Sequence, residues 1–103
     1  MTTPENRSTD APDAANQRMV RVLNPMGLHA RPAGKLAQAA QAFAADIRLV
    51  QDGQVVDAKS ILDVLTLAAE QGSELLLTAE GEDAPTALDR LQQMFANQFK
   101  DRE

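Results

Sequence analysis

Asp46-Ile47-Arg48-Leu49-Val50-Gln51-Asp52-Gly53-Gln54-Val55-Val56-Asp57 is the stretch that decides the architecture. Ile47 and Leu49 alternate with Asp46 and Arg48, the two-residue period of a strand with one buried face. Asp52-Gly53 is a turn pair that accepts positive φ, so the chain doubles back and Gln54-Val55-Val56-Asp57 completes a hairpin. A hairpin in the middle of a chain that also carries helices speaks for α+β, not for a doubly wound parallel sheet.

Upstream of the hairpin, Ala33, Leu36, Ala37, Ala40, Phe43 and Ala44 recur at intervals of three and four while Lys35, Gln38 and Gln41 face away. That spacing predicts an amphipathic helix beginning at Ala30. Gly34 inside its first turns costs about 1 kcal/mol relative to alanine, which a packed face offsets. The helix is entered through Asn24-Pro25-Met26-Gly27-Leu28-His29-Ala30-Arg31-Pro32-Ala33. Asn24, Pro25 and Gly27 stop a strand, and Pro32 suits a first helical turn, where its missing N–H would have had no partner. His29, the only histidine, therefore lies at or beside the N-cap. A helix start offers unpaired amides and the positive end of a dipole, so an anion near His29 would meet the backbone N–H groups of Ala30 and Arg31. The Arg31 guanidinium adds a fork suited to phosphate. Before this corner, residues 18–23 read as a strand with Val20 and Val22 on one face and Met19, Arg21 and Leu23 on the other. Residues 1–17 are rich in Thr, Pro, Asn, Asp, Ser and Ala without periodicity and are expected to be a disordered tail.

Downstream, residues 60–70 read as a second helix. Ser60 with Asp63 matches a capping box, and Gly72 stands where a C-terminal cap belongs. Ile61, Leu62, Val64, Leu65, Leu67 and Ala68 cover more than one face, leaving some of them for a partner. Glu74-Leu75-Leu76-Leu77-Thr78-Ala79 reads as a buried strand. A last helix is started by Asp83 with Pro85 in its first turn, burying Ala84, Leu88, Leu91, Met94 or Phe95, and finally Phe99. Glu80, Glu82 and Asp83 read as solubility and capping, and residues 100–103 as a short tail. The order is β-α-β-β-α-β-α. It predicts an α+β fold, a four-stranded, largely antiparallel sheet with the three helices on one face, the other face being comparatively polar.

The whole chain sets bounds on function. Its 103 residues suit one domain, and 44% hydrophobic residues with only 3 phenylalanines imply an aliphatic, alanine-rich core. A net charge of −5 without a basic run argues against nucleic acid and against membrane surfaces. With no cysteine and one histidine, neither disulfides nor a thiolate or histidine metal site is expected, and no cofactor is implied. No stretch has transmembrane length and the first residues lack the blocks of a signal peptide, so a cytoplasmic protein is the expectation.

Gly27-Leu28-His29-Ala30-Arg31-Pro32-Ala33, followed by Ala58-Lys59-Ser60-Ile61-Leu62, resembles HPr, the histidine-containing phosphocarrier family of the phosphoenolpyruvate-dependent phosphotransferase system. The resemblance spans residues 18–99 and implies an open-faced β-sandwich. It implies that His29 takes a phosphoryl group on Nδ1 from phospho-enzyme I and hands it to an enzyme IIA-type acceptor, with Arg31 and the amides of Ala30 and Arg31 supporting the phosphate. Imidazole is neutral and nucleophilic near pH 7, and its N–P bond is reactive enough to be passed on. Ser60 matches the serine that an HPr kinase/phosphorylase modifies in many members. Leu28, Ile61, Leu62 and Leu65 match an apolar docking patch, and the working form implied is a monomer. The tail before residue 18 has no counterpart in compact members and is expected to be dispensable or a misassigned start. The lead-in to His29 and the ending Met94-Phe95-Ala96-Asn97-Gln98-Phe99 fit the sugar-transport and the nitrogen-related branches alike.

Each of these residues also has a plainer reading. A lone histidine at a helix start is usually a surface residue, Arg31 and Lys59 alone would be solvated charges, and Ser60 is an N-cap whatever else it does. Ile61, Leu62 and Leu65 could be core. Two other classes of function stand beside the carrier: a docking-only regulatory module of the same fold, which would not need the histidine, and a free-standing enzyme using His29 as acid or base, which would want a concave site with converging polar groups.

Overall fold

The computed structural model describes residues 16–100. The elements run β1 (Gln17–Arg21), α1 (Ala30–Gln41), β2 (Asp46–Gln51), β3 (Gln54–Asp57), α2 (Ile61–Thr66), β4 (Glu74–Glu80) and α3 (Ala84–Ala96). The strands form one sheet in the order β1-β4-β2-β3, with every pair antiparallel. This is the α+β arrangement that the hairpin and the helix spacings imply, and the open-faced fold that the resemblance implies. Asp52 and Gly53 take positive φ at the β2–β3 turn, as a tight hairpin requires.

Alternation in the strands delivers Val20, Leu75, Leu77, Ile47, Leu49 and Val56 to the helix-covered face, where they meet Leu36 and Ala40 of α1, Val64 of α2 and Leu88, Leu91 and Phe95 of α3. Each fully buried leucine or isoleucine there contributes roughly 1.5–3 kcal/mol of apolar transfer. Of the expected inward residues of α1, Phe43 is only half-buried and Ala44 is exposed, because the helix ends at Gln41.

Other expectations are corrected. The open sheet face is not uniformly polar. The registers align Met19 with Leu76, Leu76 with Val50 and Val50 with Val55, an apolar row across all the strands. Met19 and Val55, at its two ends, are 58% and 56% exposed. The polar residues expected there form the next row, Gln17, Thr78, Arg48 and Asp57. Strand β1 starts at Gln17, inside the expected tail, and stops at Arg21. Val22 is nonetheless buried, and its N–H and C=O are bonded to Ser73 and Gly72. The expected tail at residues 1–15 and the last residues, 101–103, lie outside the described part.

Helix α2 is shorter than its apolar pattern suggests. It stops at Thr66, and Ala68, not Gly72, takes the left-handed conformation just beyond the end, with φ 50°. Leu67 and Ala69 are thereby buried beneath the chain instead of continuing the helix. Gly72, with φ 92°, serves the turn into β4. Asp83 is the N-cap of α3 but makes no side-chain cap. Its carboxylate instead accepts the amides of Ala44 (2.9 Å) and Ala45 (2.8 Å), closing the α1–β2 connection. The Ala44 amide first, and Ala45 with it, hold this carboxyl below its ordinary pKa against the opposing effect of desolvation.

Candidate functional site

His29 is the N-cap of α1, with extended backbone (φ −78°, ψ −169°), and its side chain makes no capping hydrogen bond. Its carbonyl accepts the first intrahelical bond, from the Ala33 amide at 3.0 Å. Pro32 has no N–H to place. The first-turn amides left over belong to Ala30 and Arg31, and neither has a partner among the described residues. No acidic residue occupies this turn, so nothing built in competes for the positive end of the helix. His29, Ala30 and Arg31 are exposed.

The loop before His29 is fixed by one close approach. Gly27 sits at φ 72°, and a Cβ built on it would lie 2.4 Å from the Ala69 carbonyl oxygen, so glycine is required by both conformation and space. The Leu28 amide donates to that same carbonyl at 2.9 Å. The Leu28 side chain points into the core and is 3% exposed. This corrects its expected place in the docking patch: the hydrogen bond that anchors the loop turns the side chain inward.

Ser60 caps α2 as its sequence suggests, its Oγ accepting the Asp63 amide at 3.2 Å. The reciprocal half of the capping box is not made. The Asp63 carboxylate accepts the Asp57 amide at 3.4 Å, and the Ser60 amide donates to the Asp57 carbonyl at 3.1 Å. The start of α2 packs along α1, between Gly34 and the C-terminal end of that helix. The position a Cβ of Gly34 would occupy lies 4.0 Å from Ile61 Cδ1, and Gln41 Nε2 donates to the Lys59 carbonyl at 2.8 Å. Ile61 and Leu62 stand outward, 44% and 75% exposed, while Leu65 is half-buried against the core. Met26, in the loop leading to His29, is an apolar surface residue, 77% exposed.

His29 lines an open cleft of ≈ 370 Å³ whose other walls include Asn24, Arg31, Lys35, Phe99 and Lys100. The far wall is the C-terminal turn of α3, which no sequence signal announced. The cleft is rich in positive and amide donors, and among the described residues no carboxylate lines it. Among the described residues, no group of His, Cys, Asp and Glu is arranged to hold a metal ion. An exposed imidazole, two open amides and a guanidinium beside a cationic cleft can accept and stabilise a phosphoryl group.

Comparison with known proteins agrees with this chemistry. Residues 16–97 match the family described as "PTS HPr component phosphorylation site". The chain is 48% identical over 84 residues to the phosphocarrier protein HPr of Treponema pallidum, covering 82% of this chain and 96% of that one. It is 41% identical over 87 residues to HPr of Cupriavidus necator, covering 84% and 98% respectively. The crystal structure of an HPr from Bacillus anthracis superposes with a TM-score of 0.72 at 44% identity, over 75% of this chain and 92% of that one.

Proposed function

The chain belongs to the HPr family of phosphocarrier proteins of the phosphotransferase system, and from that premise we propose that His29 is the residue that carries the phosphoryl group. The observation that supports this most is the helix start left open at His29, with the Ala30 and Arg31 amides unpaired beside an exposed imidazole. In the proposed step the lone pair of His29 Nδ1 forms a bond to phosphorus while the bond to the donor breaks, its electron pair leaving with the donor. The Arg31 guanidinium and the two amides meet the charge on the equatorial oxygens, which is where such a transfer needs stabilisation. Transfer onward runs the same step in reverse toward a different acceptor.

The donor in this reading is phospho-enzyme I, charged by phosphoenolpyruvate, and the acceptor an enzyme IIA-type protein. Both dock on the outward apolar side chains of Ile61 and Leu62, of which Ile61 packs against Gly34 in the same helix that His29 caps. Phosphorylation of Ser60 by an HPr kinase/phosphorylase would add about −2 charge at the edge of that patch and weaken docking. The reading is tested by incubating the chain with enzyme I and labelled phosphoenolpyruvate. Acid-labile label is expected on the wild type and absent from His29→Ala. Label that survives this substitution, or no label on the wild type, overturns it.

A further inference from the structure

The turn that follows α3 is held in an unfavourable conformation beside His29. Gln98 and Phe99 are successive non-glycine residues in the left-handed region, with φ 61° and 58°. Such residues cost about 1–3 kcal/mol each and persist only where the surroundings over-determine them. Three sets of interactions do so here. The Phe99 ring is buried and meets Phe95 edge-on at 4.9 Å, and its amide donates to the Met94 carbonyl at 2.8 Å. Asn24 Nδ2 donates to the Gln98 carbonyl at 2.8 Å. Lys35 Nζ donates to the Phe99 carbonyl at 2.9 Å.

The two side-chain donors flank the phosphoryl motif, Asn24 in the loop before His29 and Lys35 within α1 after it. They reach two successive carbonyls in the turn just beyond α3, those of Gln98 and Phe99. These oxygens carry partial negative charge on the C-terminal side of that helix. Left open, those oxygens would repel a phosphoryl group in the cleft they border. Taken up by an amide and an ammonium, they become a wall that an anion tolerates. Lys35 and Phe99 also line the cleft on the other side of this turn, so the turn is the partition between the two.

We propose that Lys35 is a positioning residue for transfer at His29: by holding the Phe99 carbonyl it keeps the end of α3 in place, neutralised toward the phosphoryl group, with Asn24 holding the adjacent carbonyl to the same end. The proposal rests on His29 being the carrier, and it concerns the step within the docked complex, not docking, because Ile61 and Leu62 are untouched.

The experiment is single-turnover transfer from phospho-enzyme I to wild type, Lys35→Met, Lys35→Arg and Asn24→Ala over a range of carrier concentrations, with circular dichroism of each variant. For Lys35→Met the expected result is a fall on the order of tenfold in the saturating rate, in the range that small misplacements at a reacting centre produce, with the half-saturating concentration unchanged. Lys35→Arg, which keeps a cationic donor, should recover most of the rate. Asn24→Ala should slow the same step, and the double variant should be slower by less than the product of the single effects, since both hold one element. Wild-type transfer by Lys35→Met, a change confined to half-saturation, or strictly multiplicative effects in the double variant would overturn the inference. A wild type that accepts no label overturns the carrier reading instead, so the two failures are distinguishable.

Discussion

The two helix starts, at His29 and at Ser60, solve the same local problem in opposite ways. Ser60 satisfies its own helix, its hydroxyl taking the Asp63 amide. His29 has a side chain that makes no such bond, and the Ala30 and Arg31 amides remain open. The serine start contributes to stability as it stands, while the histidine start forgoes a cap typically worth about 1 kcal/mol. An unfilled cap with no acid in its first turn is local stability left unused, and the group that would fill it is an anion. The difference separates a helix start whose third amide is held by its own N-cap side chain from one whose N-cap side chain holds none and whose third position is a proline.

Substitutions that break this contrast are ordered by their expected effect. Gly27→Ala should be the most damaging, because its Cβ would collide with the Ala69 carbonyl in a left-handed conformation. A loss of about 3 kcal/mol is expected, seen as a fall of more than about 10 °C in the thermal midpoint; an unchanged midpoint would show that the loop is not pinned to the segment after α2. Arg31→Ala should leave the fold intact and slow transfer on the order of thirtyfold, about 2 kcal/mol of transition-state stabilisation. An unchanged rate would leave the amides as the only phosphate support. Ser60→Ala should cost about 1 kcal/mol in a thermal melt, whereas Ser60→Asp should keep the cap and instead weaken binding to enzyme I. Equal affinity of Ser60→Asp and wild type for enzyme I would remove Ser60 as a switch while leaving it a cap.

What was legible in the chain follows from how local each cause is. The hairpin was readable because Asp52-Gly53 and the alternation of Ile47 and Leu49 are local facts. The helix start at His29 was readable because Pro32 and the recurrence of Ala33, Leu36, Ala37 and Ala40 are local as well. The early end of α2 was not, since it depends on Leu28 donating to Ala69 and on Ala68, a residue with no turn preference, adopting positive φ. The apolar row on the open face depends on register between strands, which no single strand carries. At the site, the motif pointed to His29 and Arg31, but the cleft wall made by α3 could not be seen. Gln98 and Phe99 carry no glycine to advertise their conformation, and their partners Asn24 and Lys35 lie far off in sequence.

The central claim, that the open helix start at His29 is where the phosphoryl group sits, is tested most directly by nuclear magnetic resonance of the chain charged with enzyme I and phosphoenolpyruvate. The account predicts a phosphorus signal coupled to the His29 ring, with the amide resonances of Ala30 and Arg31 displaced and that of Asp63, already bonded to Ser60 Oγ, left in place. A phosphorus signal on any other residue, or Ala30 and Arg31 amides that do not respond to charging, would contradict it.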